Sequence, residues 1–272
     1  VMAKSGTQSI AYTHLDNDFH NLTINAGSTT QLLSVGESGD NALQDINEDL
    51  TVNGILKSHP DTTSSRIRLR DPSATFTVDS SVKDTALVDL ARIQFDGNGT
   101  FNIPELTTKR IFLTSSGTIV SASGPLTVTE EIQVDSGTTF NANTNTIDAK
   151  QVDVNGGTLD LRNSTCQFKT TGSNDKLDLS DSSTLLTGNT LIEGHNATNH
   201  TFLFAPAAGN FEVVGTLKFM EIQNADGDIT VIGSVINCSE EDGFENQAMI
   251  RQFHHTLDTQ QLLDADEAGD DD

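Results

Sequence analysis

The chain of 272 residues sets 39 acidic against 15 basic side chains, a formal charge of -24, and is only 35% hydrophobic and 5% aromatic, with no Trp and one Tyr. That charge excludes sustained binding to a phosphate backbone, and so a nucleic-acid partner. The lean apolar content argues against a large compact globule.

Residues 1–49 read as an N-terminal attachment or oligomerisation segment. The chain opens on Val1-Met2, as a piece of something longer would. Thr13 is placed to cap a short helix with Leu15, Phe19 and Leu22 on one face and Asp16 and Asp18 in the first turn, where the helix dipole favours them. A stretch rich in Ser, Gly and Asn follows to Ala42, and Leu43 to Leu50 offers a second weak amphipathic turn.

Strand signals begin at Leu50-Thr51-Val52, which ends on the corner pair Asn53-Gly54. Arg66-Ile67-Arg68-Leu69-Arg70 alternates strictly, placing three arginines on one face of a strand and two aliphatics on the other. The arginines read either as a solvated face or as partners for carboxylates of a neighbouring subunit. Val82, Ala86, Leu87, Leu90 and Ile93 fit a short helix or a strand, and their spacing does not decide between them.

From Phe95 to Leu186 a short phrase returns: Gly99-Thr100-Phe101, Gly117-Thr118-Ile119, Gly137-Thr138-Thr139-Phe140, Gly157-Thr158-Leu159 and a degenerate Ser183-Thr184-Leu185. The period, roughly twenty residues, is that of one pass of a repeat architecture and far too short for a domain. Each phrase is a turn residue followed by a strand start. Apolar-polar-apolar triplets such as Leu126-Thr127-Val128, Val152-Asp153-Val154, Leu159-Asp160-Leu161 and Leu177-Asp178-Leu179 put one face inward and leave one wet. A second set runs through Phe202-Leu203-Phe204, Phe211-Glu212-Val213 and Ile229-Thr230-Val231.

The expected fold is therefore all-β, a β-solenoid or β-helix-like ladder of short strands over residues 50–238. A C-terminal cap follows over 239–272, where Phe244, Met249, Ile250, Phe253 and Leu257 suit an amphipathic helix ahead of an acidic tail. Cys166 and Cys238 are too few for a disulfide framework and are expected as free thiols. No apolar run approaches a membrane span, so a soluble chain without a membrane partner is expected.

Motifs that carry chemistry are sparse. Asn224-Ala225-Asp226-Gly227-Asp228 resembles the start of a calcium loop without its later ligands, and reads as an Asp-Gly turn. Asp16, Asp18 and His20 are close in sequence, though the helix cap explains them more simply. His254-His255 are adjacent and so point about 100° apart on a helix, too far to share one metal. Asp153, Asp160 and Asp178 are outward carboxylates on successive passes, of the kind that glycoside hydrolysis uses in pairs, but the aromatic platforms of a sugar groove are lacking. No catalytic, cofactor-binding or metal-binding residue is assigned, and no cofactor is expected. Six Asn-x-Ser/Thr sequons, at Asn21, Asn98, Asn163, Asn196, Asn199 and Asn237, matter only if the protein is secreted by a glycosylating cell.

Asp49-Leu50-Thr51-Val52-Asn53-Gly54, Arg66-Ile67-Arg68-Leu69-Arg70-Asp71 and the Thr13 to Leu22 segment resemble phrases of the virion fibre and spike proteins of tailed bacteriophages, marine ones in particular. The resemblance implies a non-enzymatic, extended, homotrimeric structural protein of the virion. Its implied partners are itself, other virion proteins and host cell-surface glycans. The alternatives are a secreted cell-surface adhesin or matrix protein, and a polysaccharide-degrading enzyme on a β-helix.

Overall fold

The computed structural model describes residues 6–12, 18–34, 43–59, 65–170, 177–180, 183–194, 211–218 and 229–236. Its strands are β1 (Gly6–Tyr12), β2 (Asp18–Phe19), β3 (Leu22–Ile24), β4 (Ser28–Ser34), β5 (Leu43–Ile46), β6 (Leu50–Val52) and β7 (Ile55–Ser58). β8 (Arg66–Leu69), β9 (Phe76–Val78), β10 (Arg92–Phe95), β11 (Gly99–Ile103), β12 (Leu106–Leu113), β13 (Thr118–Ala122) and β14 (Leu126–Asp135) follow. Last come β15 (Thr139–Asn141), β16 (Ile147–Asn155), β17 (Thr158–Thr170), β18 (Leu177–Ser180), β19 (Thr184–Gly194), β20 (Phe211–Lys218) and β21 (Ile229–Ile236). The described residues are all-β, with no helix among them.

Every pairing between these strands is parallel, and the pairings fall into three stacks. In the first, β2, β5, β8 and β10 continue into the second halves of β12, β14 and β16 and then β18. The second contains β11, β13, β15 and the first parts of β17 and β19, and β3, β6 and β9 form a separate three-stranded sheet ahead of it in the chain. The third begins β1, β4, β7 and includes the first halves of β12, β14 and β16 and the later part of β17. Between β7 and β12 the turn around Leu87 fills the third stack: Leu56 and Ser58 donate to the carbonyls of Ala86 and Asp89, and Leu87 bridges Thr108.

Most strands present alternate residues inward, and register lines those residues up. Ile46, Leu69, Phe95, Leu113, Val134 and Val154 form one buried column, and Phe101, Val120, Phe140, Leu159 and Leu185 another. Parallel sheets are ordinarily covered on both faces and read as unbroken apolar runs. Here the outward positions are mostly polar, which is why the strands keep a period of two despite their parallel pairing. The long strands pass from one stack to the next through irregularities, between Thr108 and Arg110 of β12, Val128 and Glu131 of β14 and Leu161 and Thr165 of β17. A bulge of this kind bends a strand without ending it.

The recurring Gly-Thr phrase belongs to the corner that opens the second stack. Gly117 donates to the Gly137 carbonyl and Gly99 to that of Gly117, and all three have positive φ. Thr118 and Thr138 are buried, and their hydroxyls donate to the carbonyls of Gly97 at 2.8 Å and Asp135 at 2.7 Å. Ser183 does the same for the Val154 carbonyl at 2.5 Å. These hydroxyls satisfy carbonyls that the corner would otherwise strand in the interior.

The expected helix over Thr13–Leu22 is corrected in its second half, where Asp18–Phe19 and Leu22–Ile24 are strands. Leu22 and Ile24 are buried on either side of a half-exposed Thr23, a period of two that overrides the i, i+4, i+7 spacing. Likewise Leu43–Ile46 is a strand and not an amphipathic turn, and parallel pairing already starts at Gly6. The segment from Val82 resolves into turns up to Asp89 and then strand β10. The expected C-terminal cap over 239–272 and the strand at Phe202–Phe204 lie outside the described residues.

Candidate functional site

The outward face of the first stack carries the densest array of charge. In β8, Ile67 and Leu69 point inward and are buried, so Arg66 and Arg68 take the outer face, with the exposed Arg70 just beyond. Register sets Asp45 of β5 beside Arg68. The Arg68 Nε and Nη2 donate to the two oxygens of Asp45 at 2.7 and 2.5 Å, and Arg70 Nη1 adds a third bond at 3.2 Å. Arg68 also lies 3.3 Å from Asp96, which follows β10 on the other side. The hydrogen bond to Asp45 holds the Arg68 pKa above its ordinary value against the opposing effect of burial. The carboxylates thus come from adjacent strands of the same chain, where the sequence suggested solvent or a neighbouring subunit.

Beside this network runs a second outer column. Arg66 of β8 faces Arg92 of β10. Ile93 faces Ile111, which places Arg110 next in line, and Arg110 faces Glu131. The Arg110 Nε lies 2.7 Å from Glu130. The Arg92 guanidinium carbon sits 4.6 Å from the centre of the Phe112 ring. Burial lowers the Arg92 pKa, the charges of Arg66 and Arg110 lower it further, and Glu131 opposes them. Glu131 is shifted up, chiefly by burial, with Arg110 and Arg92 pulling against the shift.

The three carboxylates singled out in the sequence are not brought together. Asp153 and Asp178 are register neighbours in the first stack. Asp160 belongs to the second stack, facing Asn141 and Leu186, so it is not their successor on one face. Its oxygens accept from Arg162 Nε at 3.0 Å and Nη2 at 2.8 Å. Burial would raise the Asp160 pKa, but the hydrogen bonds and charge of Arg162 outweigh it and the net shift is downward.

Asp18 faces Asp45 across β2 and β5, and the exposed His20 stands 3.6 Å from Glu48. Cys166 faces Ile147 and Thr190. Asp16, Asn224 to Asp228, Cys238 and His254-His255 lie outside the described residues. Among the described residues no group of three or more His, Cys, Asp or Glu side chains is arranged to hold a metal ion, and no helix is long and apolar enough to cross a membrane.

Sequence reasoning missed Asp45, Arg92 and Arg110. Each stands in an unremarkable local context, and only the register between strands joins them. Compared with protein-family models, with curated proteins and with solved structures, the chain has no match.

Proposed function

We propose that this chain is a non-enzymatic structural protein of a virus particle, a fibre, spike or surface-fibre component that serves assembly and attachment to a host surface. On this reading the parallel strands, which begin at Gly6, coil as a β-solenoid to residue 238, the N-terminal end attaches, residues 239–272 cap the far end, and three copies assemble side by side. The observation that carries it is the continuity of the buried columns: Phe101, Val120, Phe140, Leu159 and Leu185 succeed one another without a break in register. Such stacking makes each pass depend on its neighbours alone and suits a stiff spacer of extendable length. Side-by-side association would bury faces that a single ladder leaves wet.

The separation of Asp160 from Asp153 and Asp178, and its engagement by Arg162, weigh against a carboxylate-pair glycosidase on those residues. A secreted adhesin is the second reading, favoured by the exposure of the sequon residues Asn98 and Asn163.

Light scattering with low-resolution electron microscopy tests the proposal. A rod of about three chain masses is expected; a compact monomer overturns the fibre. Glycan mass on Asn98 or Asn163 in protein from its own source would favour the adhesin instead.

A further inference from the structure

In a chain of charge -24, five of the seven arginines (Arg66, Arg68, Arg70, Arg92 and Arg110) are gathered on or beside β8, β10 and β12. Adjacent strands lie about 4.8 Å apart, and like charges facing each other across that gap oppose the pairing. Arg68 and Arg70 are answered by Asp45 and Arg110 by Glu130. Arg92 differs: it is partly buried between two further arginines, and among the described residues no carboxylate lies within ion-pair distance and no acceptor meets its N–H groups. The Phe112 ring attracts the cation from one side. It offers no oxygen acceptor to a group with five donors.

We propose that the Arg66–Arg92–Arg110 column binds a tetrahedral oxyanion, a sulfate or phosphate group, with Arg92 as its central ligand. The planar fork of a guanidinium matches two oxygens of such a group. Arg66 and Arg110 have contacts of their own and contribute field more than donors. Glu131 closes the Arg110 end of the column with negative charge, so the anion sits toward Arg66. From Arg66 to Arg110 the column spans two strand spacings, roughly 10 Å, enough for a free ion or for one charged stretch of a sulfated or phosphorylated polysaccharide. The site rests on register and charge, not on the fibre reading: a monomer that bound sulfate through Arg92 would overturn the fibre and leave the site standing.

Calorimetric titration of the full chain tests this, with sodium sulfate, inorganic phosphate, dextran sulfate and uncharged dextran, at ionic strength held constant with sodium chloride. Saturable binding of sulfate or phosphate is expected, weakened at least about tenfold in Arg92→Gln and also reduced in Arg92→Lys, which keeps the charge but loses the fork. Glu131→Gln tightens binding. Arg162→Gln, on another stack and already paired with Asp160, leaves it unchanged. Dextran sulfate binding far more tightly per anionic group than sulfate, still through Arg92, identifies a polysaccharide; equal affinity identifies the free ion. If Arg92→Gln does not fold, the Arg92→Lys and Glu131→Gln pair decides. The proposal is overturned if no anion binds saturably, or if Arg162→Gln weakens binding as much as the Arg92 substitutions.

Discussion

A carboxylate as withdrawn from water as Asp45, whose side chain is 5% exposed, persists because three guanidinium N–H groups reach it. Removing one partner of such a pair leaves the other charge buried and uncompensated. Asp45→Ala is therefore expected to cost about 3 kcal/mol in urea unfolding, the low end of the range because Arg68 retains Asp96 and some solvent. Its sequence neighbour shows the opposite economy. Gln44 is fully buried and faces Ile67 at the start of an aliphatic column, and neither of its amide atoms has a hydrogen-bond partner among the described residues. Gln44→Leu is expected to raise stability by about 1–2 kcal/mol, because a stranded amide gives way to apolar packing. A lower urea midpoint in that variant would mean that the amide is satisfied. Neither role was legible in the sequence. Leu43-Gln44-Asp45-Ile46 is a bland tetrapeptide until register supplies Arg66-Ile67-Arg68-Leu69 opposite it.

At the scale of the element, the second stack was the most readable part of the chain. The phrases at Gly99, Gly117, Gly137, Gly157 and Ser183 do mark successive strands of this stack but not their register: Gly99 pairs with Thr118 and Thr139 with Thr158, so Phe101 meets Val120, while Ile119, the apolar residue of its own phrase, is exposed. The phrase was understood only in part. Its first Thr was read as a strand former, whereas Thr118 and Thr138 are buried hydroxyls that satisfy corner carbonyls. The helical spacing misleads from Asp18 onward because Phe19 and Leu22 also fit two short strands separated by a turn, and Leu22-Thr23-Ile24 breaks the tie toward strand. In the column of the second stack Phe140 is fully enclosed. Phe140→Ala is expected to lose about 3–5 kcal/mol, read as a shifted chemical-denaturation midpoint. Thr127→Ala, at an exposed position of β14, should stay within about 0.5 kcal/mol of the parent. Equal losses in the two would contradict the inward–outward assignment.

Across the whole molecule the charge of -24 repels itself. Sodium chloride raised from about 0.05 to 0.5 M shortens the reach of that repulsion, and the thermal midpoint at neutral pH is expected to rise by a few degrees. Acid acts through individual groups. Asp160 has a lowered pKa, as do Asp71 and Asp79 through the hydroxyl and backbone N–H of Ser73 and Ser81. Their contribution is present above the ordinary carboxylate range and disappears as pH falls through their lowered values. Glu131 runs the other way: its raised pKa favours the folded state most when it is protonated, and that advantage is lost as pH rises through the raised value. Glu131→Gln should therefore melt no lower than the parent at pH 7, and the gap should close in acid, where the parent is itself protonated. Calorimetry across pH checks both signs.

Parallel register also imposes an order in time. Along the first stack, Asp45 meets Arg68, Arg68 meets Gln94, and Phe112, Gln133 and Asp153 follow in turn, so each new strand finds its partner already synthesised. A ribosome adds about 5–20 residues each second, whereas local strand pairing takes microseconds. Every strand thus has time to settle on the one before it while the next is still being made. The nascent chain grows by templating on its own most recent edge, and until synthesis stops that edge remains the place where a misplaced strand from another chain would attach.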